Sequence, residues 1–173
     1  MPAIRRARRA DASALAAVAE ATFRATFATA NTPADMERHC RATYGEAIQA
    51  AEIADPCRLT LLCEDAGRLV GYAQLRWGKA PACVVAQAPA EIQRLYVVAA
   101  AHGKGIAQQL MAACLAALAQ RAADVAWLGV WERNPRAIAF YRKAGFREVG
   151  EHVFVLGTDA QRDVVMMRPL VPR

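Results

Sequence analysis

Cysteine pairs are missing from this chain. Its five cysteines, Cys40, Cys57, Cys63, Cys83 and Cys114, are odd in number and form no C-x-x-C pair. That argues against a disulfide framework and a structural zinc site. Cys114 falls on an apolar helical stripe and reads as core. The histidines His39, His102 and His152 have no ligand spacing, so no metal is expected. No uninterrupted apolar run approaches the ~20 residues of a membrane span. Arg5-Arg6 and Arg8-Arg9 precede no apolar segment of the signal-peptide kind. The expectation is a cytoplasmic protein with no membrane partner. A helix-turn-helix pattern and a basic stripe with interleaved aromatics are also absent, so nucleic acid is not an expected partner. Two nucleotide-binding patterns fail as well. No Gly-Lys is followed by Ser or Thr, and the glycine pair Gly103 and Gly105 is followed at the third position by Gln108.

What is present describes a globular chain. Over 173 residues, 55% are hydrophobic and 22% charged, enough for a core and consistent with one domain spanning 1–173. No internal repeat, low-complexity segment or linker divides it. The net charge of +6 suits a polyanionic ligand.

The stretch 91–121 organises the rest. Glu91-Ile92-Gln93-Arg94-Leu95-Tyr96-Val97-Val98 is apolar and β-branched enough for a strand. After a turn through His102-Gly103-Lys104-Gly105, apolar residues at Ala107, Leu110, Met111, Cys114, Leu115 and Leu118 recur at helical spacing. A strand, a glycine turn and a helix N-terminus aim backbone N–H groups and a partial positive charge at one spot. That arrangement holds phosphate.

In chain order, Ala3–Ala7 reads as a first strand. Asp11 or Ser13 can cap a helix running to about Phe27. Thr32-Pro33-Ala34-Asp35 opens a second helix to about Tyr44, with Thr32 as cap and Pro33 in the first turn. A further helix or turn covers 47–54. Strands follow at 58–64 and 69–77 around the turn Asp65-Ala66-Gly67, then a loop from Gly78 to Ala88. Beyond the central strand and helix, 125–131 is a strand, and Asn134-Pro135 opens a short helix closed by Gly145. A hairpin over 146–156 and 163–168 ends the chain. The order β-α-α-β-β-β-α-β-α-β-β predicts an α/β fold: a central mixed, mostly antiparallel β-sheet with helices on both faces.

Two segments resemble the GNAT superfamily of N-acetyltransferases. The turn His102-Gly103-Lys104-Gly105-Ile106-Ala107 is similar to its Q/R-x-x-G-x-G/A loop, with Gly105 and Ala107 in the small-residue positions and His102 where Gln or Arg is usual. The run from Asn134 to Phe146 matches N-x-x-A-x-x-F-Y-x-x-x-G-F at Asn134, Ala137, Phe140, Tyr141, Gly145 and Phe146. Segments 22–27 and 154–163 further resemble the PaiA-like group, whose members are often described as polyamine acetyltransferases.

The resemblance covers nearly the whole chain and implies the GNAT fold, with acetyl-CoA or coenzyme A as cofactor. It places the cofactor against Leu95, Tyr96, Val97, the loop His102, Gly103, Lys104, Gly105, Ile106 and Ala107, and Asn134 and Tyr141. Tyr141 would protonate the departing CoA thiolate. A phenol of pKa ~10 can serve a thiolate of pKa ~8.5 only in direct hydrogen-bond contact. Glu91, read by alternation on one face with Gln93 and Leu95, is the expected base. The backbone N–H of Val97 or Val98 is the expected oxyanion donor. Phe27, Asn31, Trp77 and Glu91 are the expected acceptor pocket, for a small-molecule amine, a polyamine or a protein amine. A homodimer is a further expectation of the resemblance. Two alternatives stay open: an acyl-CoA sensor without turnover, and a nucleotide-binding switch.

Overall fold

The computed structural model describes residues 1–170. Its elements are β1 (Ala3–Arg6), α1 (Ala12–Phe27), α2 (Pro33–Thr43), α3 (Glu46–Ala54), β2 (Arg58–Asp65), β3 (Arg68–Trp77), β4 (Pro89–Val97), α4 (Ile106–Gln120), β5 (Val125–Trp131), α5 (Pro135–Lys143), β6 (Arg147–Leu156) and β7 (Asp159–Pro169). All seven strands join one sheet in the order β1-β2-β3-β4-β5-β7-β6. Only β4 and β5 run parallel; every other pair is antiparallel. Helices cover both faces, and the observed order differs from the expected one in a third helix, α3, ahead of β2, where a helix or turn was open.

Local chemistry sets the element ends. The Thr32 hydroxyl accepts the Asp35 amide at 3.2 Å and Pro33 occupies the first turn of α2. Ala66 (φ 50°) and Gly67 (φ 73°) both turn left-handed between β2 and β3, the geometry a two-residue hairpin needs. One cap differs from expectation. Asp11 stands at the N-cap position of α1, which begins at Ala12 after a single 3-10 turn, but its side chain makes no capping hydrogen bond, and Ser13 lies inside the helix. Asp11 instead accepts two 2.8 Å hydrogen bonds from Arg5 and one of 2.6 Å from the Arg8 amide. Those donors hold its carboxyl down at a pKa of about 2, and it ties β1 to the start of α1. The last strand also starts earlier than expected, at Asp159.

The two faces carry separate cores. On one, α4 and α5 pack Ile106, Leu110, Cys114 and Leu118 against Ile92, Leu95, Ala126, Leu128 and Met166. On the other, α1 and α2 pack Leu15, Phe23, Met36 and Cys40 against Leu62, Tyr72 and Leu156. The loop from Gly78 to Ala88 seals the rest of that second face, setting Val84 among Val125, Trp127, Val165 and Met167.

The connection between α1 and α2 is latched to the β6–β7 turn. Asp35 Oδ1 accepts the Thr158 amide at 2.7 Å and its hydroxyl at 2.9 Å, and Gln161 donates to Asn31 at 2.5 Å. Gly157 makes the latch fit. Its φ is +63°, and a Cβ there would stand 2.3 Å from Asp35 Oδ1 and 2.7 Å from Asp35 Cα. Gly157→Ala is therefore expected to cost about 1–3 kcal/mol through backbone strain and lost latch contacts. A thermal melt reads this as a fall of about 2–4 °C per kcal/mol; an unchanged melting temperature would show that the latch contributes nothing.

Candidate functional site

β4 begins as the parallel neighbour of β5 and then leaves it. The two pair only over Pro89–Glu91 with Val125–Trp127. A bulge lies beyond that contact: Leu75 faces Ile92 and Gln74 faces Arg94, so Gln93 is an extra residue in β4. Bulges bend a strand and increase its twist. This one is held in place, because Arg58 donates to Gln93 Oε1 at 2.8 Å and Arg94, packed beneath, donates to Glu52 at 2.8 Å. β4 then follows β3 while β5 follows β7, and a wedge opens between them.

The bulge also reassigns side chains. Leu95 and Val97 join Ile92 on the α4 face, whereas Tyr96 joins the α1 face and stacks on Tyr72 at 5.8 Å. The expected alternation Glu91, Gln93, Leu95 on one face is therefore corrected. Backbone polarity sorts in the same way. The Val98 amide donates to Val70 of β3 at 2.9 Å and is not available to the wedge. Amides alternate along a strand, so those of Leu95 and Val97 point toward β5, into the wedge.

A cavity of about 700 Å³ occupies this wedge. Leu95, Tyr96, Val97, His102, Gly103, Gly105, Ile106, Ala107, Asn134 and Tyr141 all line it; Lys104 does not. Gly103 (φ 77°) and Gly105 (φ 75°) turn the chain left-handed into α4, a backbone state that side-chain-bearing residues rarely adopt. The first helical amides, Ile106, Ala107 and Gln108, lie ahead of the first intrahelical bond, Gln109 N–H to Gly105 O at 3.1 Å. These are the amides that the sequence offers as an anion cradle. His102, the departure from the usual loop pattern, folds inward. Its Nε2 donates to Val97 O at 2.9 Å, and its Nδ1 accepts from Arg136 at 3.4 Å.

On the other wall, Asn134 Oδ1 accepts the Ala137 amide at 3.1 Å, and its carbonyl accepts Ile138 in the helix. Both Asn134 oxygens are thus already bonded within the helix, and the side-chain Nδ2 is the donor left over. Tyr141 stands edge-on to Phe140 and Phe146 with ring centroids 5.4 and 6.0 Å away. Burial pushes its phenol well above the ordinary range, so it enters any reaction protonated.

The four expected acceptor residues do not line this cavity. Glu91 is buried at the closed end of the β4–β5 pair, hydrogen-bonded to Arg76 at 2.8 Å, and shares a face with Arg76 rather than with Leu95. Trp77 packs on the opposite, α4 face beneath Arg121, whose guanidinium lies 4.5 Å from the ring centroid. Asn31 is spent on the latch. Phe27 packs on Trp131 at 5.5 Å, next to the lining residue Thr26 but not itself in the lining. Sequence reasoning missed Thr22 and Thr26 of α1 and Arg136 of α5, which do line the cavity. Arg136 had a legible signal, a cation next to the helix-opening Asn134-Pro135. Among the described residues, no group of three or more His, Cys, Asp and Glu side chains could hold a metal ion. No helix among them is long and apolar enough to cross a membrane.

Comparison with known proteins gives this geometry a lineage. An uncharacterised N-acetyltransferase of Mycobacterium tuberculosis (strain ATCC 25618 / H37Rv) is 38% identical over 161 residues, covering 93% of this chain and 99% of its own. A second uncharacterised N-acetyltransferase, from Lactobacillus delbrueckii subsp. lactis, is 34% identical over 155 residues, with 90% of each chain covered. The fold resembles the crystal structure of PaiA N-acetyltransferase from Thermoplasma acidophilum in complex with coenzyme A, at a TM-score of 0.75 and 22% identity, over 98% of this chain and 99% of that one. Residues 14–146 match the acetyltransferase (GNAT) family. The chain belongs to that family.

Proposed function

We propose that this protein transfers an acetyl group from acetyl-CoA to a primary amine by direct attack, with the cofactor in the wedge between β4 and β5. The observation that carries the reading is the convergence on one cavity of the left-handed glycine turn, the unpaired β4 edge and the protonated Tyr141.

The cavity suits coenzyme A in three respects. Its pyrophosphate needs several N–H donors at one spot, which the 103–108 turn and the α4 N-terminus supply. Arg136 adds a cation at the same mouth. The pantetheine arm carries two amides, which can hydrogen-bond along the unpaired edge of β4 as an added strand would. Bound there, acetyl-CoA supplies an activated thioester carbonyl. The Val97 amide is the donor for the oxyanion that forms on attack. Tyr141 returns a proton to the sulfur. Glu91 is bound to Arg76 at the closed end of the strand pair, so the proton on the acceptor amine leaves by another route.

The acceptor is proposed as an alkylamine, drawn from polyamines, small amines or protein amines. A panel of these amines with acetyl-CoA, followed by release of free thiol, tests the reading. Thiol release that depends on both partners is expected. Tight acetyl-CoA binding with no transfer to any amine would favour the sensor alternative.

A further inference from the structure

Outside the cavity, on the β5–β7–β6 side of the sheet, Asp163 and His152 form a pair that the cofactor site does not use. β7 lies between β5 and β6, which sets Asp163 opposite Trp131 on one side and His152 on the other. Asp163 Oδ2 and His152 Nε2 are 3.6 Å apart, within ion-pair range but longer than a hydrogen bond. Both side chains lean over β5 at Gly129. A Cβ there would stand 2.7 Å from His152 Nε2 and 3.2 Å from Asp163 Oδ2, so glycine is what admits them.

Their surroundings fit a cationic amine. The other carboxylates nearby are matched: Glu91 by Arg76, Glu52 by Arg94 and Arg58, Glu132 and Glu151 by Arg162. Asp163 has no arginine or lysine partner among the described residues. Trp127 meets the His152 ring edge-on at 6.3 Å, and its buried indole N–H has no hydrogen-bond partner among the described residues. Trp131 and Phe27 extend the aromatic wall. A carboxylate among aromatic rings is the chemistry that binds an alkylammonium. Exposure grades outward: the Asp163 side chain is 13% exposed and that of His152 33%. Thr26 lines the cavity, its neighbour Phe27 packs on Trp131, and Trp131 is the β5 partner of Asp163, so this aromatic wall joins the cavity to the pair.

We propose that Asp163 and His152 serve the acceptor half of the reaction: Asp163 anchors the ammonium of a primary amine, and His152 carries its proton to solvent. This rests on the acetyltransferase reading above. The protons balance. The ammonium gives one proton to the pair, and the freed nitrogen lone pair forms the C–N bond. The C–S bond breaks with its electrons on sulfur, which takes the Tyr141 proton. The nitrogen's second proton restores the Tyr141 hydroxyl, and one proton leaves through His152.

Other titratable or charged groups on this face are Cys83 of the 78–88 loop, Tyr72 and Arg76 of β3, Glu91, Arg94 and Tyr96 of β4, Glu52 of α3, His39 and Cys40 of α2, and Tyr44. Burial raises the Asp163 carboxyl above its ordinary value, with His152 opposing the shift. A carboxyl raised by folding costs stability as pH climbs through that window, because the folded state there binds more protons than the unfolded one. A neutral amide removes that cost.

The test uses Asp163→Asn, His152→Gln and His152→Ala, assayed against pH with a diamine, a polyamine, a lysine amide and an alanyl peptide. Acetyl-CoA affinity and melting temperature are read in parallel. Asp163→Asn and His152→Gln should lower kcat/KM by about a hundredfold and remove its acidic limb. Acetyl-CoA affinity should hold, and Asp163→Asn should melt no lower than wild type at neutral pH. Added imidazole should restore turnover to His152→Ala, which a merely structural histidine would not allow. Wild-type kcat/KM and pH profile in both Asp163→Asn and His152→Gln would overturn the assignment and leave the acetyltransferase reading standing. If Asp163→Asn fails to fold, His152→Gln and the imidazole rescue decide. A wild-type protein that acetylates no amine in the panel overturns the acetyltransferase reading, and this assignment with it.

Discussion

Tyr141→Phe should lower kcat by about a hundredfold to a thousandfold while leaving acetyl-CoA affinity nearly unchanged. General acid catalysis is worth roughly 10²–10⁴ in rate. The substitution removes one oxygen and keeps the ring that packs on Phe140 and Phe146. Burial in this apolar corner holds the proton on the phenol, and a thiolate arriving within hydrogen-bond distance is its natural recipient. The separation of kcat from affinity is the informative part. A structural tyrosine would show its loss in melting temperature or in cofactor binding. Single-turnover kinetics with acetyl-CoA titrated separately makes the distinction, and unchanged turnover would remove Tyr141 from the mechanism.

Gly105→Ala should weaken acetyl-CoA binding about tenfold or more. Gly105 sits at φ +75° as the residue that opens α4. Holding an L-residue there costs roughly 1–2 kcal/mol, and 1.4 kcal/mol is a factor of ten in an equilibrium constant. The new Cβ has room, since its nearest neighbour would be Gln109 Nε2 at 3.9 Å. The effect therefore comes from the backbone, as the turn relaxes and its amides lose their common aim. Isothermal titration compares the two proteins. An unchanged dissociation constant would mean that the phosphate cradle lies elsewhere.

The sequence showed element order well where local rules act alone. Thr32-Pro33 and Asn134-Pro135 open helices because capping and a fixed φ operate over a few residues. The cavity wall was equally legible, because one continuous stretch, 95–107, supplies much of it. The acceptor side was not. A single inserted residue at Gln93 reverses the alternation of β4, and no spacing pattern marks it. Glu91 therefore lands beside Arg76, away from the expected face. Trp77 was read as a pocket wall, but its position on β3 sends it to the α4 core. His152 and Asp163 meet only because β7 inserts between β5 and β6, and the space over Gly129 depends on an absent side chain. Such a site belongs to strand order, which local patterns do not encode.

The most direct test of the central claim is thermal unfolding with acetyl-CoA, with ATP and NAD as controls. The account predicts that acetyl-CoA at ~100 times its dissociation constant stabilises the fold by about 2.7 kcal/mol, a shift of several degrees, and that ATP and NAD do not match it. No shift with acetyl-CoA, or a larger one with ATP, would contradict the placement of coenzyme A in the wedge between β4 and β5.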